Sequence, residues 1–405
     1  MRIFFVTNNY SPYSGGVTQS INAITNALRT QGHEVFIITL NFLGKNDKLQ
    51  TDPHYVIRIT CPIRFMYKKN YMAIPWRPTD AIKKLIAQYK PDIIHVHHPF
   101  LLGVSALHAA QTFNIPCIFT YHTMYEDYAH YIPLPKRYTK KLIHLMVKHF
   151  CNAVDGIIAP SNTIKDYLLK QKITKPITVI PSPLRTMFIT YHPFVLSLSK
   201  ETNTHSLTST SSVRTRLKTS SRNKKSFNLL VVSRFVPEKN IPFIFEIFTQ
   251  LPDNFNLTLV GYGSQYKLTE TLAFKKLKLS PERVHFIHKP AQEELLKQYQ
   301  SADLFIFSSQ TDTQGIVLAE AMSQGVPVIA VDGPGQRDIV INGYNGFIIN
   351  NAKDAITKIL TIADDAILRN KLISGAYATA ENYHADRIIQ KLLNFYNTIR
   401  LDLKK

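Results

Sequence analysis

Short apolar segments of strand type alternate with amphipathic helical segments along most of this 405-residue chain. RIFFVT near the N-terminus has the pattern of a buried strand, TQSINAITNALRTQG has helical periodicity up to Gly32, and EVFIITL is a second strand pattern. Repeated strand–helix–strand units favour a parallel sheet covered by helices on both faces, with ligands at the carboxyl ends of its strands. The sequence therefore predicts an α/β fold with doubly wound, Rossmann-like sheets.

The alternation is interrupted at residues 192–226, where 15 of 35 residues are Ser or Thr. A segment of this composition cannot bury enough apolar surface to offset the entropy lost on ordering. A second strand–helix series then begins with FNLLVVSRF. We therefore predict four parts: an N-terminal α/β domain (1–190), an insertion or linker (191–227), a second α/β domain (228–385) and a terminal helix that packs back on the first domain (386–405).

Positive charge is concentrated in the first half of the chain. The formal net charge is +20, of which residues 1–190 contribute +13 (22 Lys and Arg against 9 Asp and Glu) and residues 228–405 only +1. This asymmetry indicates a polyanionic partner, either an anionic membrane surface or a nucleic acid. The basic segments contain no aromatic recognition motif, zinc spacing or helix-turn-helix pattern, so nucleic-acid binding is the weaker alternative and we expect no nucleic-acid partner.

The cysteines and the apolar segments bear on the cellular compartment. The three cysteines form no C-x-x-C pair, which is typical of a reducing cytoplasm. The first apolar run is too short for a signal peptide, and no segment approaches the ~18 to 20 apolar residues of a membrane-spanning helix. We therefore expect a cytoplasmic protein that associates peripherally with the inner face of the membrane.

Two cations follow the first strand of the second series, in the segment SRFVPEKN. Arg234 and Lys239 are expected at the cleft end of the sheet, where they could neutralise a departing diphosphate. Gly15 and Gly16 follow the first strand of the chain, where backbone amides could approach a phosphate or a sugar. The glycine pair lacks G-x-G-x-x-G spacing, so on its own it is equally typical of a structural turn.

The segment SSQTDTQGIVLAEAMSQG places two carboxylates, Asp312 and Glu320, around a predicted helix start. Amides at a helix N-terminus bind anionic or hydroxyl oxygens, and two carboxylates on one cleft wall suit the hydroxyls of a sugar and a ribose. The candidate donor-binding residues of this segment are Asp312, Thr313, Gln314, Gly315, Ile316 and Glu320.

The run from Asp312 to Glu320, followed by AMSQGVPVIA and GPGQRDIVINGYNGFII, resembles the E-x₇-E region of family 4 retaining glycosyltransferases of the GT-B fold. SRFVPEKN, VGYGSQ and the N-terminal GGV loop occur in that family's order and spacing. The resemblance covers nearly the whole chain except residues 192–226. It implies two doubly wound parallel-sheet domains that face each other across a cleft, with 1–190 as the acceptor-side domain and 228–385 as the nucleotide-sugar-binding domain.

By this resemblance Arg234 and Lys239 hold the donor diphosphate, Glu320 holds the ribose hydroxyls, and Gly16 lies on the phosphate side of the first domain. Asp312 stands where the family usually has glutamate, so its carboxylate is retracted by one methylene. A second departure is VIPSPLR, where the family has a V-I-P-N-G-V-D-like turn. Because of these two departures and the Ser/Thr-rich insertion, a degenerate, inactive transferase is an open alternative.

The segment FTYHTMYEDYAHYIP resembles more narrowly the bacterial transferases that glucosylate diacylglycerol. His122 ends a predicted strand and matches the family's cleft histidine, which would bond a sugar hydroxyl or orient the acceptor; a lone histidine is otherwise usually structural. The candidate catalytic residues are His122, Arg234, Lys239 and Asp312. The expected acceptor-side residues are Tyr125, Glu126 and Tyr128.

The next segment, PKRYTKKLIHLMVKHF, mixes basic residues with large apolar ones. A basic amphipathic helix of this kind can lie in an anionic membrane interface, and it can equally be a domain helix with its lysines in water.

The resemblance implies transfer of a hexose, with retention of configuration, from a nucleotide-sugar donor (UDP-glucose is expected) to a membrane lipid such as diacylglycerol. A soluble saccharide or metabolite acceptor is the alternative. No D-x-D motif stands at a cleft strand end, and no carboxylate or cysteine completes a metal set with the histidines of HVHHP. We therefore expect no cofactor and no obligatory metal, with Arg234 and Lys239 supplying the positive charge.

Overall fold

The computed structural model describes residues 1–11, 15–42, 52–67, 70–126, 136–189 and 226–403. Two parallel sheets with flanking helices account for most of these residues, which confirms the predicted α/β class. Most of the predicted insertion lies outside the described residues.

The first sheet has seven parallel strands in the order β3-β2-β1-β6-β7-β8-β9. The elements up to its last strand are β1 (Arg2–Val6), α1 (Gly16–Thr30), β2 (Glu34–Leu40), β3 (Val56–Ile59), β4 (Ile63–Tyr67), β5 (Asn70–Ile74), α2 (Pro78–Tyr89), β6 (Ile93–Val96), α3 (Leu102–Thr112), β7 (Cys117–Thr120), α4 (Lys136–Ala153), β8 (Gly156–Ala159), α5 (Asn162–Lys170) and β9 (Ile177–Val179). The strands β4 and β5 form a separate antiparallel hairpin. The four described residues of β6 are all buried, as expected for a strand covered on both faces.

The second sheet has six parallel strands in the order β12-β11-β10-β13-β14-β15. Its elements, with the terminal helix, are β10 (Phe227–Arg234), α6 (Ile241–Phe248), β11 (Phe255–Tyr262), α7 (Tyr266–Thr271), β12 (Val284–His288), α8 (Gln292–Ser301), β13 (Leu304–Phe307), α9 (Ile316–Ser323), β14 (Val328–Val331), α10 (Gln336–Ile339), β15 (Gly346–Ile349), α11 (Ala352–Asp364), α12 (Ala366–Ala380) and α13 (Ala385–Asp402).

Each sheet reverses its strand order once. In the first sheet, β1 pairs with β2 on one side and with β6 on the other. In the second sheet, β10 pairs with β11 on one side and with β13 on the other. Ligands of open parallel sheets bind in the crevice at such a reversal, beyond the carboxyl ends of the strands. The loops after β1, β6, β10 and β13 are therefore the expected walls of a site.

The chain passes from the first domain to the second earlier than predicted. Leu184 and Phe188 are fully buried in the core of the second domain, where Phe188 packs edge-on against Tyr299. Ile180 still belongs to the core of the first domain. The predicted boundary at residue 190 is therefore too late, because two large apolar side chains before it find their buried sites on the second sheet.

The terminal helix α13 lies on the face of the first sheet that α1 also covers. Its buried side chains pack in one cluster with α1 and with the strands β1, β2 and β6 to β8. Gly156 of β8 permits this contact, because a Cβ there would come within 2.8 Å of Phe395. The hydroxyl of Tyr396 lies 2.6 Å from Nδ1 of His95, and Arg400 pairs with Asp92 at 2.8 Å.

We expect Tyr396→Phe to lower the free energy of unfolding by about 2 kcal/mol, since it leaves a buried ring nitrogen of His95 without its partner. Urea unfolding followed by circular dichroism measures this change. Tyr138→Phe, on the exposed surface of α4, is the matched control and should behave as the parent. Equal stability of Tyr396→Phe and the parent would contradict the role given to this hydrogen bond.

Candidate active site

The loops after β10 and β13 meet at the reversal of the second sheet, as the strand order requires. The hydroxyls of Ser308 and Ser309, just after β13, donate to the carbonyl oxygens of Lys239 and Glu238 at 2.6 and 3.2 Å. Asn240 follows with a left-handed backbone (φ 45°) and begins α6. These contacts hold the loop after β10, which carries Lys239, against the loop after β13, which carries Asp312.

Lys239 and Asp312 form a close ion pair. The ammonium lies 2.7 and 2.6 Å from the two carboxylate oxygens, and both side chains are largely shielded from solvent. Arg234 is exposed at the end of β10, and no ion pair among the described residues involves it. The site therefore offers one free guanidinium and one lysine whose charge an anionic ligand would have to share with Asp312.

The loop before α9 reaches across to the first domain. The hydroxyl of Thr313 donates to the backbone oxygen of His122 at 2.7 Å. Gln314 makes two hydrogen bonds with the backbone of Ser182, accepting from its N–H at 2.8 Å and donating to its carbonyl at 3.1 Å. Ser182 in turn lies 2.8 Å, hydroxyl to hydroxyl, from Ser20 of α1. The predicted donor loop, the cleft histidine and the glycine-initiated helix α1 are thus brought to one place.

Two glycines permit this loop conformation. Gly315 precedes α9 with φ 68°, a left-handed value that favours glycine. Gly335 approaches the loop so closely that a Cβ would lie 2.4 to 2.6 Å from backbone atoms of Gln314. Ile316 is the first residue of α9 and is half-buried against the core of the second domain. At the other wall, Gly16 begins α1, and a Cβ at Gly15 or Gly16 would meet no atom within 4 Å, so both face open space.

Glu320, predicted to hold the ribose, is buried and already bonded. Its carboxylate accepts from the guanidinium of Arg185 at 2.8 Å and from the hydroxyl of Tyr299 at 3.0 Å. Burial raises the pKa of this carboxyl, while Arg185 and Tyr299 act in the opposite direction. Arg185 is the last residue of VIPSPLR, so the departure from the family's turn supplies the counter-ion for this carboxylate.

His122 is half-buried and ends a column of histidines whose other members, His97 and His95, are buried. Its Nε2 lies 2.8 Å from Nδ1 of His97, and the His97 ring also stacks on that of His95. Desolvation holds the pKa of His122 and His97 well below the usual range and lowers that of His95 to about 3. The column is therefore neutral at pH 7, and the contact with His97 leaves Nδ1 as the ring nitrogen of His122 available to a ligand.

Comparisons with known proteins bear on what this site is. Residues 14–186 match the model of Glycosyltransferase Family 4, and residues 213–379 match that of Glycosyl transferases group 1. The chain is 30% identical, over 95% of its length and 83% of the relative's, to an alpha-monoglucosyldiacylglycerol synthase of Streptococcus pneumoniae. It is 27% identical to a protein of the same name from Acholeplasma laidlawii, over 95% of the chain and 93% of that relative.

The chain is a family 4 glycosyltransferase. The predicted family and the predicted hexosyltransferase class are thereby confirmed.

Solved structures confirm the GT-B fold of this glycosyltransferase. Sucrose-phosphate synthase from Thermosynechococcus elongatus superposes with a TM-score of 0.75 at 19% identity, covering 98% of this chain and 99% of that one. Anabaena HepE, solved in complex with UDP, gives a TM-score of 0.71 at 17% identity, with 98% and 100% covered.

The predicted acceptor-side residues of the transferase lie deeper than a surface loop. Tyr125 packs in the core of the first domain, edge-on to Phe100 and Tyr121. Glu126 is largely buried and bonds to Nδ1 of His144 at 3.0 Å and to the hydroxyl of Tyr167 at 2.8 Å. Tyr128 lies outside the described residues. The roles assigned to these three residues stay predictions.

Sequence reasoning missed several contacts of the glycosyltransferase site. Ser182 and Arg185 lie in the turn VIPSPLR, which was noted only as a departure from the family, and Glu320 is 135 residues from Arg185 in the sequence. Tyr299 and His97 carried no local signal, because each acts through a partner that is distant in sequence.

The described residues of the transferase include neither a candidate metal site nor a membrane-spanning helix. No group of three or more His, Cys, Asp or Glu side chains in that part of the chain could hold a metal ion. No helix there is long and apolar enough to cross a bilayer.

We expect Arg185→Met to lower the free energy of unfolding by roughly 3 kcal/mol at neutral pH, because it leaves a buried carboxylate without its cation. The raised pKa of Glu320 in the folded state means that acid protonates it there first, so the loss should shrink as the pH falls from 8 to 5. Urea unfolding at both pH values measures this dependence.

Two further variants serve as controls for this prediction. Arg185→Met combined with Glu320→Gln removes both charges and should recover part of the stability. Arg337→Met breaks an exposed pair with Asp332 and should cost less than ~1 kcal/mol. If Arg185→Met lowers the free energy of unfolding equally at pH 5 and pH 8, Arg185 does not act by neutralising the buried carboxylate of Glu320.

Proposed function

We propose that this glycosyltransferase moves glucose from UDP-glucose to the hydroxyl of diacylglycerol at an anionic membrane surface, with retention of configuration. The proposal is carried by two adjacent contacts. Lys239 pairs with Asp312, and the hydroxyl of the next residue, Thr313, donates to the backbone oxygen of His122 across the cleft. The similarity to two alpha-monoglucosyldiacylglycerol synthases supports the choice of sugar and lipid. The net charge of the first domain supports the membrane surface.

In the proposed reaction the bond between the anomeric carbon and the diphosphate breaks, and the acceptor oxygen bonds to the same face of that carbon. The exposed Arg234 and the ammonium of Lys239 stabilise the charge that develops on the diphosphate, so no metal is required. A phosphate oxygen of the leaving group takes the proton of the acceptor hydroxyl. No side chain is assigned as a covalent nucleophile.

Donor binding redistributes the charges of the site. When the diphosphate attracts Lys239, the carboxylate of Asp312 is released to accept hydrogen bonds from sugar hydroxyls. His122, whose backbone oxygen accepts from Thr313, is the residue of the first domain that meets this loop, and its ring is neutral. The ribose role of Glu320 requires Arg185 to move aside, because both carboxylate oxygens already have donors.

The helix α4 supports contact with the membrane. Its exposed surface contains four large apolar side chains and several basic ones, whereas Ile143, Val147 and Phe150 face the core. The exposed apolar residues of α4 are Tyr138, Leu142, Leu145 and Met146. Such a helix can bury its apolar side at the boundary of headgroups and acyl chains while its cations contact anionic lipids.

The test is release of nucleoside diphosphate from a panel of UDP- and GDP-sugars, with diacylglycerol in anionic liposomes present or absent. We expect release from UDP-glucose that depends on the lipid. Lys239→Met should lower kcat about 10²- to 10³-fold with a smaller effect on KM, since the lysine acts mainly on the leaving group. Lys276→Met, at an exposed site of the second domain, is the matched control and should leave kcat unchanged.

Three other outcomes would overturn the proposal. Release only with soluble saccharides or metabolites would assign a soluble acceptor. Strong, salt-dependent RNA binding without donor binding would favour a nucleic-acid partner. No binding of any donor would mean that the departures at Asp312 and VIPSPLR have inactivated the site.

A further inference from the structure

The pairing register of β4 and β5 places large apolar side chains together on one face of their hairpin. Ile63 pairs with Ile74 and Phe65 with Met72, so these four side chains project from one face of the two-stranded ribbon. Residues of the opposite face include Ala73, which is buried in the core cluster that underlies α2 to α5. The hairpin is therefore attached to the domain by one face and presents the other outward.

The outward face is apolar and open to solvent. The exposed fractions of Ile63, Phe65, Met72 and Ile74 lie between 43% and 55%, and Trp76 just after the hairpin is 71% exposed. Single exposed apolar residues are common on proteins, whereas a contiguous group of five large ones marks an interaction site. Within the described part of the chain no other element covers this group.

The domain that carries the apolar face is strongly basic. Within the hairpin Arg64 is exposed, but it lies opposite Ala73 in the register and so projects from the other face, and Arg77, which follows Trp76, pairs with Asp80 at the start of α2. The domain that carries the hairpin has an excess of 13 positive charges over residues 1–190. An apolar group within a cationic surface complements an anionic lipid layer better than it complements an acidic protein or a nucleic acid.

The hairpin and α4 lie on the same side of the first domain. Both pack on the core cluster that covers one face of the sheet, opposite to α1 and α13. The hairpin follows the carboxyl end of β3, and α4 runs back toward the start of β8, so its first turns lie at the same edge of the sheet. The strands β3 and β7 are four positions apart, or about 20 Å.

We propose that the β4–β5 hairpin and Trp76 form a second membrane-contact element, which inserts its apolar face into the headgroup region of an anionic bilayer. With α4 it holds the carboxyl edge of the first sheet, and hence the cleft, against the lipid surface. The inference rests on the proposed lipid acceptor for its choice of partner. Tryptophan is the side chain most typical of such an interface, since its indole combines a large apolar body with one polar N–H.

The chain provides its own probe, because Trp76 is its single tryptophan. Added to vesicles of phosphatidylglycerol and phosphatidylcholine, the full-length protein should show a blue-shifted tryptophan emission, and vesicles with brominated acyl chains should quench it. Vesicles of phosphatidylcholine alone should give a smaller shift. Unchanged emission with the anionic vesicles would overturn the proposal.

Surface variants provide a second measurement that does not disturb the core. Phe65→Ser combined with Ile74→Ser should weaken partition into anionic vesicles at least 10-fold by co-sedimentation. Ile367→Ser, at an 85% exposed isoleucine of α12 in the second domain, is the matched control and should partition as the parent does. Equal partition of the hairpin variant and the parent would refute the inference, as would a variant that only turns a dimer into a monomer.

Turnover in detergent micelles separates this inference from the proposed function. The hairpin variant should transfer glucose to micellar diacylglycerol at the parental rate and lose activity only on vesicles. A parent that inserts Trp76 but glucosylates no lipid would contradict the proposed function and leave the hairpin assignment intact. Lipid glucosylation without insertion of Trp76 would contradict the hairpin assignment and leave the proposed function intact.

Discussion

One short loop joins the two domains at the cleft, beside a second contact in which Asp338 of α10 accepts hydrogen bonds from Asn162 and Thr163 of α5. Thr313 and Gln314 follow β13 of the second sheet, yet their side chains bond to backbone atoms of His122 and Ser182 in the first part of the chain. Because these partners are backbone groups, the contact fixes the position of the loop rather than the identity of the residues it meets. Gly335 packs closely behind the loop and donates its N–H to the carbonyl oxygen of Asp312 at 2.8 Å, which supports this loop position.

The two departures from the family pattern have physical partners in the structure. Asp312, shorter than glutamate by one methylene, is engaged by Lys239 at both oxygens. Arg185, the end of the altered turn, neutralises the buried Glu320. A buried carboxylate needs such a partner, because desolvation disfavours its charged form. Neither substitution therefore leaves an unpaired charge at the site, which favours a functional transferase over a degenerate one.

The sequence predicted the alternation of strands and helices well, because each buried parallel strand is a short apolar run between helical segments. It also predicted Arg234 and Lys239 beside the end of a strand and Asp312 just before a helix, and the structure has them at the end of β10, after β10 and before α9. It failed where a side chain acts through distant partners. Leu184 and Phe188 look like the end of the first domain but pack in the second, and the β4–β5 hairpin, with one face outward, has no buried-strand pattern. Such features depend on which surface a segment meets, and local pattern does not encode that.

The proposed reaction is same-face transfer of glucose from UDP-glucose to a diacylglycerol hydroxyl in this cleft. The most direct measurement is the proton NMR spectrum of the glycolipid that the purified protein forms from UDP-glucose and dioleoylglycerol in anionic vesicles. We expect a product whose anomeric proton shows the small H1–H2 coupling constant of an α-glucoside, because the donor is α-linked and the proposed transfer retains its configuration. A β-linked product, or no glycolipid with any nucleotide-sugar, would contradict it.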